Sequence, residues 1–279
     1  MTGLVSGIKR MEIHDGEGLR TTVFFKGCTL KCIWCHNPES ISFEKETARF
    51  KDKCRNCGLC HGVVDSHTSE LCPMNAIVIY GKEYTPEKLV DEIMQDEAFF
   101  KSSGGGVTFS GGECLAQGDF AVECAKKFSE KGISVYIDTC GNVGWEVLEK
   151  IIPYTDKFLY DIKAIDSDLH KRLTGDTNEL ILDNLSRLCR QGLEVEIRYP
   201  LVVGYNDGEC ERIGDFLNSI GFNGRVKVLQ YHNFAGSRYE ALGIENTLPD
   251  TKTEYADVEY AVETLKRKGL VAVNGIDET

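Results

Sequence analysis

Short β-rich runs alternate with helical stretches over most of this sequence, and no other feature limits its possible folds so strongly. The helical stretches carry apolar residues three and four positions apart, which is the spacing of one helix face. Regular alternation of strands and helices favours a parallel sheet with right-handed crossovers. The predicted strands are TTVFF (21–25), VTFS (107–110), SVYIDT (134–139), FLYDIK (158–163), EVEIRYP (194–200) and RVKVLQYH (225–232).

Six strand and helix units are enough to form part of a barrel. We therefore predict an α/β fold, a partial (β/α)6 barrel of the TIM type, with residues 85–100 as the first crossover helix. In such barrels the chemistry takes place at the C-terminal ends of the strands. Candidate functional residues lie at those ends: Cys28, Gly111, Gly112, Glu113, Asp138, Asp161, Lys163, Arg198 and His232.

Residues 43–83 break this alternation. The segment is rich in cysteine and charge and has neither a helical nor a strand period. We therefore assign residues 1–42 and 84–279 to the partial barrel and residues 43–83 to a small insert between the first strand and the first helix.

The overall charge and the absence of long apolar runs narrow the choice of partners. A net charge of −12 argues against nucleic acid, because nucleic-acid affinity comes largely from clustered Lys and Arg. No run approaches the roughly 20 apolar residues that span a bilayer. The N-terminus lacks the apolar core of a signal peptide. We expect a cytoplasmic protein with no membrane partner.

Cysteine is the residue type that needs a special explanation here. Cytosolic thiols are kept reduced, so twelve cysteines do not predict a disulfide framework. Five are scattered, and we expect them to be small buried apolar residues: Cys114, Cys124, Cys140, Cys189 and Cys210. The other seven are grouped: Cys28, Cys32, Cys35, Cys54, Cys57, Cys60 and Cys72.

The stretch GCTLKCIWCHNP (27–38) contains the first group, with the spacing CxxxCxxC. A structural zinc ion would need a fourth ligand, for which His36 is the available neighbour. An iron–sulfur cluster held by Cys28, Cys32 and Cys35 would leave one iron open to an outside ligand. The spacing favours the cluster.

These residues carry a resemblance to a known family. CxxxCxxC with Trp34 before the last cysteine resembles the radical S-adenosylmethionine (radical SAM) signature. DGEGLRTTVFFKGC with the following CHNPE is similar to the opening of the glycyl-radical-enzyme activating enzymes, where Glu17 is usually proline. The resemblance continues to about residue 240 through GGGVTFSGGE (104–113), IDTCG (137–141), YDIK (160–163), IRYPLVVGYND (197–207) and QYHNFAGSRY (230–239).

The resemblance implies a set of cofactors and the residues that hold them. A [4Fe-4S] cluster would be bound by Cys28, Cys32 and Cys35, with Lys163 as a further catalytic residue. The implied S-adenosylmethionine (SAM) contacts are Trp34, Gly111, Gly112, Glu113, Asp138, Thr139, Asp161, Lys163, Arg198 and His232. In some members Asp138, Thr139 and Asp161 also hold a monovalent cation.

The family chemistry is implied in the same way. One electron from the cluster cleaves SAM to methionine and a 5′-deoxyadenosyl radical, which removes a hydrogen atom from a glycine of a partner glycyl radical enzyme. A flavodoxin or ferredoxin-type protein would supply the electron. We favour a dehydratase or lyase partner, such as hydroxyproline dehydratase. Two alternatives are a radical SAM enzyme with a small-molecule substrate and a ferredoxin-like electron carrier.

The second cysteine group begins like the bacterial ferredoxin run CxxCxxCxxxCP. Its members are Cys54, Cys57, Cys60 and Cys72, but eleven residues separate the last two where ferredoxins have three. We predict one auxiliary [4Fe-4S] cluster on these four thiols, with zinc as the competing interpretation. Its role would be electron relay to the active centre or support for partner docking.

Overall fold

The protein is described here by a computed structural model, which covers residues 1–60 and 72–277. This part of the chain contains eleven strands: β1 Gly3–Glu12, β2 Arg20–Phe25, β3 Glu46–Arg49, β4 Ile77–Tyr80, β5 Lys82–Tyr84, β6 Gly106–Gly111, β7 Ser134–Thr139, β8 Lys157–Asp161, β9 Val195–Leu201, β10 Arg225–Gln230 and β11 Val271–Asn274.

Nine of these strands form one sheet in the order β11-β10-β9-β8-β7-β6-β2-β1-β5. The neighbouring strands β2, β6, β7, β8, β9, β10 and β11 pair in parallel, and the register aligns Arg20 with Gly106 and Phe25 with Gly111. All six predicted strands are present, so the partial α/β barrel is confirmed. The sequence reasoning did not identify β1, β5 and β11. β1 pairs antiparallel with β2, and β5 pairs antiparallel with β1.

The described helices lie in the connections between strands: α1 Pro86–Ile93, α2 Glu97–Ser103, α3 Gly118–Glu130, α4 Trp145–Ile151, α5 Ser167–Thr174, α6 Glu179–Arg190, α7 Cys210–Ser219, α8 Gly236–Leu242 and α9 Tyr255–Arg267. The first predicted crossover helix consists of α1 and α2, separated by a 3-10 turn. Thr85 caps α1 by accepting a hydrogen bond from the Lys88 backbone N–H. Gly104 ends α2 in the left-handed conformation.

The strands that run through the middle of the sheet are apolar and fully buried, as parallel strands covered by helices should be. Val23, Phe25, Val107 and Phe109 are each 0% exposed. The rings of Phe25 and Phe109 lie 5.1 Å apart. This core fixes the strand ends and therefore the positions of the loops that follow them. None of the described helices is long and apolar enough to cross a membrane.

The cysteine-rich segment is attached through a separate β-ribbon. β3 and β4 pair antiparallel as a two-stranded sheet of their own, and α8 packs against β3. β5 then returns to the edge of the main sheet, where Tyr84 is opposite Gly3. The ribbon therefore ends at Tyr80. The middle of the predicted insert, residues 61–71, lies outside the described residues.

Candidate active site

A cavity of about 630 Å³ opens at the C-terminal ends of the parallel strands. Every residue that the resemblance assigned to the three-cysteine cluster and to SAM lines it, with the exception of Glu113. The lining set is Cys28, Cys32, Trp34, Cys35, Gly111, Gly112, Asp138, Thr139, Asp161, Lys163, Arg198 and His232. Segments more than 200 residues apart in sequence are thus brought to one place by the order of the strands.

The cysteine loop, residues 28–35, follows β2 and is held by backbone hydrogen bonds on two sides. The Cys28 N–H donates to the carbonyl of Ile41 at 3.0 Å. The Ile33 N–H donates to the carbonyl of Leu173 at 3.0 Å, at the end of α5. Carbonyls in the last turn of a helix have no partner inside the helix, so they are available to this loop. The loop position is therefore set by the fold.

The three thiols of this loop suit a metal cluster. Burial raises the pKa of Cys28 and Cys32 above the usual value, and raises that of Cys35 to about 12. A centre bound here would therefore displace thiol protons. In the described ranges no three His, Cys, Asp or Glu side chains form a group suited to one metal ion. Three soft thiols facing one cavity fit a multi-iron cluster better than a single zinc ion.

Two glycines at the end of β6 are required by their close approach to the chain just before and just after the cysteine loop. Gly111 has a φ of +112°, and a Cβ there would lie 2.3 Å from the backbone N of Phe25. A Cβ on Gly112 would lie 2.4 Å from the carbonyl oxygens of Gly27 and Ser40. Any side chain would push the two loops apart, so these glycines have a structural role as well as a place in the cavity wall.

Lys163 and Asp161 form a charged pair on the wall beside the cysteines. The Lys163 Nζ lies 2.7 Å from Asp161 Oδ2, and the lysine side chain is 9% exposed. Burial lowers the pKa of Lys163, but the Asp161 carboxylate and the nearby Cys32 and Cys140 together outweigh it and raise that pKa well above the usual value. The lysine is therefore a fixed positive charge facing the cavity.

Arg198 is the centre of a second charged group, deep in the barrel. Its Nη1 lies 3.3 Å from Asp15 Oδ1 and 3.6 Å from Asp138 Oδ1, and its Nη2 donates to the carbonyl of His14. Its Nε is buried and has no hydrogen-bond partner among the described residues, and Glu196 Oε1 is 4.0 Å away. Glu196 is also paired with Arg225, so the group has two cations and three carboxylates, and the remaining negative charge leaves the pocket favourable to added positive charge.

Asp138 faces the cavity from the end of β7. Ser110 donates a hydrogen bond to its Oδ2 at 2.6 Å. Burial raises the pKa of Asp138 to about 7, although the nearby Arg198 guanidinium acts in the opposite direction. A bound ammonium group would favour the ionised carboxylate.

Glu113 differs from the other predicted residues because its carboxylate is directed into the protein. It is 0% exposed and accepts hydrogen bonds from the Thr139 hydroxyl at 2.8 Å and the Cys140 N–H at 2.9 Å. The Leu115 N–H also donates to it, at 3.0 Å. The side chain of Glu113 thus connects the loop after β6 to the end of β7. Its hydrogen bond orients the Thr139 hydroxyl from the side that faces away from the cavity.

Aromatic side chains form the opposite wall of the cavity. Trp34 is 6% exposed and packs in an apolar cluster with Leu173, Val202 and Tyr231. His232 stacks on His36 with 4.1 Å between the ring centres. The His36 Nε2 is 2.6 Å from the His232 backbone oxygen, so that nitrogen is committed to a hydrogen bond.

The sequence reasoning missed several residues of the cavity wall: His14, Asp15, Cys140 and Lys227. Asp15 could have been identified, since it is an acidic residue in a glycine-containing loop that leads into the buried strand β2. Cys140 was assigned to the scattered, buried cysteines. It is 7% exposed, which agrees, but it also reaches the cavity.

Comparison with known proteins agrees with the family resemblance of the sequence. A model of the Radical SAM superfamily matches residues 22–217. The trans-4-hydroxy-L-proline dehydratase activating enzyme of Clostridioides difficile is 39% identical, over 87% of this chain and 88% of that protein. The choline trimethylamine-lyase activating enzyme of Oleidesulfovibrio alaskensis is 36% identical, over 87% of each chain. The chain is a radical SAM glycyl radical enzyme activating enzyme.

Solved structures agree with this membership of the activating enzymes. A domain of the pyruvate-formate lyase-activating enzyme from Bacteroides vulgatus superposes with a TM-score of 0.52 at 27% identity, covering 61% of this chain and 99% of that one. Membership implies a [4Fe-4S] cluster, SAM and a glycyl radical enzyme partner. It sets aside both alternatives, the small-molecule radical SAM enzyme and the ferredoxin-like carrier.

This activating enzyme has a second, smaller cavity of about 270 Å³ beside the ribbon. All four cysteines of the second group line it: Cys54, Cys57, Cys60 and Cys72. The Ala76 N–H donates to Cys72 Sγ at 3.3 Å, and backbone N–H groups lower the pKa of this thiol. Backbone donors directed at sulfur favour the thiolate, the form that binds iron or zinc. Four thiols around one cavity therefore fit a metal centre.

Proposed function

We propose that this activating enzyme generates the glycyl radical of a dehydratase or lyase, with a hydroxyproline dehydratase as the favoured partner. The observation that supports this reaction is a cavity lined both by three thiols and by two groups of charged side chains, the Lys163 pair and the Arg198 group. Support for the partner comes from the relatives, because the hydroxyproline and choline activating enzymes are 39% and 36% identical to this chain and a formate-lyase activating enzyme is 34% identical.

Each group of the cavity has a part in the proposed reaction. Cys28, Cys32 and Cys35 would hold the cluster, and the cluster with bound SAM would supply a 5′-deoxyadenosyl radical. SAM carries an ammonium and a carboxylate on its methionine part. Lys163 offers positive charge to the carboxylate, and Asp138 offers negative charge to the ammonium, so the bound molecule has one orientation. The wall that contains Trp34 limits access of water to the reacting atoms.

The remaining SAM contacts are proposed on the same basis. Gly111 and Gly112 bring backbone close to the cavity, where it can meet the amino group without a side chain between them. Asp138, Thr139 and Asp161 face the same space and offer oxygen ligands to a monovalent cation. We propose that Glu113 contributes through its hold on Thr139.

The partner preference can be measured by electron paramagnetic resonance (EPR) of the glycyl radical. Reduced activating enzyme and SAM would be incubated with a hydroxyproline dehydratase, a choline lyase or a pyruvate formate-lyase. We expect radical to form on the dehydratase about tenfold faster than on the formate-lyase, a difference of about 1.4 kcal/mol in recognition. Each partner with its radical glycine replaced by alanine is the control. Faster activation of the formate-lyase would contradict the preference, although not the activase function.

The second cavity is proposed to hold one auxiliary [4Fe-4S] cluster. Cys54 and Cys57 are exposed at its edge, which suits a centre that receives electrons from a flavodoxin or ferredoxin-type protein. A zinc ion on the same thiols would serve only structure. Iron and zinc analysis of the purified protein distinguishes the two metals.

Replacing Cys54 and Cys57 with alanine tests electron relay. We expect SAM cleavage with dithionite to remain near that of the wild type, because a chemical reductant reaches the active-site cluster directly. Activation of the partner with a flavodoxin donor should fall at least about tenfold, because the entry point is lost. Cys189→Ala, at a scattered cysteine that lines neither cavity, is the matched control. Unchanged activation with either donor would contradict the relay.

A further inference from the structure

Helix α8 holds the cysteine loop from outside the cavity. Tyr239 is 2% exposed, and its hydroxyl donates a hydrogen bond to the backbone carbonyl of Cys35 at 3.0 Å. The tyrosine lies 204 positions further along the chain, so this contact exists only in the folded protein. Its acceptor belongs to the third thiol residue of the loop.

The preceding residue of α8 holds the segment that follows Cys35. Arg238 Nη1 donates to Asn37 Oδ1 at 3.2 Å and to Glu39 Oε1 at 2.8 Å. Glu39 is 9% exposed, so its pairing with Arg238 is shielded from solvent on the glutamate side. Two consecutive residues of one helix thus hold the segment from residue 35 to residue 39, Tyr239 through a backbone carbonyl and Arg238 through two side chains.

The other side of α8 faces the ribbon. The helix packs against β3, and Glu240 is paired with Lys51 just beyond that strand at 3.0 Å. This pair is exposed and contributes little stability by itself. Its location shows that α8 lies between the cysteine-rich insert and the cysteine loop, in contact with both.

We propose that Tyr239 is a positioning residue that sets the orientation of the Cys35 thiol, with α8 as the element that links the insert to the cysteine loop. The inference rests on the proposed role of Cys35 as a cluster ligand. Hydrogen bonds to the residues that carry ligands fix the direction of the ligand atoms. Without the Tyr239 hydroxyl, the Cys35 carbonyl loses its buried hydrogen-bond donor. The cysteine loop can then shift to find another donor for that carbonyl.

Tyr239→Phe removes this one hydroxyl and little else. In the reconstituted and reduced protein, EPR of the cluster would be recorded while SAM is added. We expect the SAM concentration at half-saturation to rise about tenfold, the size of effect expected from one buried hydrogen bond. The EPR signal of the SAM-bound form should also change. Tyr255→Phe, which removes a hydroxyl bonded to Asp277 at the surface, is the matched control and should behave as wild type.

Wild-type half-saturation and an unchanged EPR signal in a Tyr239→Phe protein with full iron content would overturn the positioning role. If that variant does not retain iron, Arg238→Gln decides, because it loosens the same segment from a half-exposed position. Arg238→Gln should also raise the SAM concentration at half-saturation. An unchanged concentration would reject the inference. A wild-type protein whose cluster signal does not respond to SAM would instead contradict the proposed function.

Discussion

Replacement of Cys28, Cys32 and Cys35 with alanine is expected to abolish production of 5′-deoxyadenosine from SAM. The three thiols face the same cavity and are the residues proposed to hold the cluster. Their removal would take away the three thiolates that bind its irons. The measurement is 5′-deoxyadenosine formed by anaerobically reconstituted, dithionite-reduced protein, which should fall to the level of a control without enzyme.

The iron content of the variant makes this result specific. About four irons per chain should be lost, whereas the auxiliary site should keep its own metal, because its four cysteines line a separate cavity. Cys124→Ala is a suitable control, since that thiol is buried in α3 among apolar residues. Product formation by the triple variant would show that another group of residues holds the reactive cluster.

Much of the fold followed from local patterns. Buried parallel strands are apolar throughout and are separated by amphipathic helices, so the six strands that form the barrel could be located from sequence. β1 and β5 were missed because they are the last two strands on one side of the sheet and mix polar and apolar residues. Their burial alternates irregularly, and no period of two is visible in GLVSGIKRME.

The site was predicted residue by residue through resemblance, but the direction of the side chains was not. Glu113 illustrates the limit. Its place after two glycines predicted a position at the cavity, yet its carboxylate turns inward to the Thr139 hydroxyl and the Cys140 N–H. Such a contact depends on how the β6 and β7 loops approach each other in space. No spacing along the chain encodes it.

Arg198→Met is expected to destabilise the protein by about 3 kcal/mol at pH 8, because breaking a buried charge group leaves uncompensated charge. The guanidinium is 8% exposed and is the cation nearest to Asp15 and Asp138. Methionine keeps most of the volume, so the loss measures charge and hydrogen bonding more than packing. The measurement is urea unfolding under anaerobic conditions. Arg187→Met, at a half-exposed pair with Asp183, should cost less than about 0.5 kcal/mol.

The effect of Arg198→Met should shrink as the pH falls. Burial already raises the pKa of Asp138 to about 7, so the folded state binds a proton more tightly than the unfolded chain does. For such a carboxyl group, stability is lost as pH rises from the unfolded pKa, about 4, through the folded one. Removing Arg198 raises the folded pKa further. At pH 5 Asp138 is neutral in both proteins, so the variant no longer has an uncompensated carboxylate there and should lose less stability. An equal loss of stability at pH 5 and pH 8 would show that charge is not the cause.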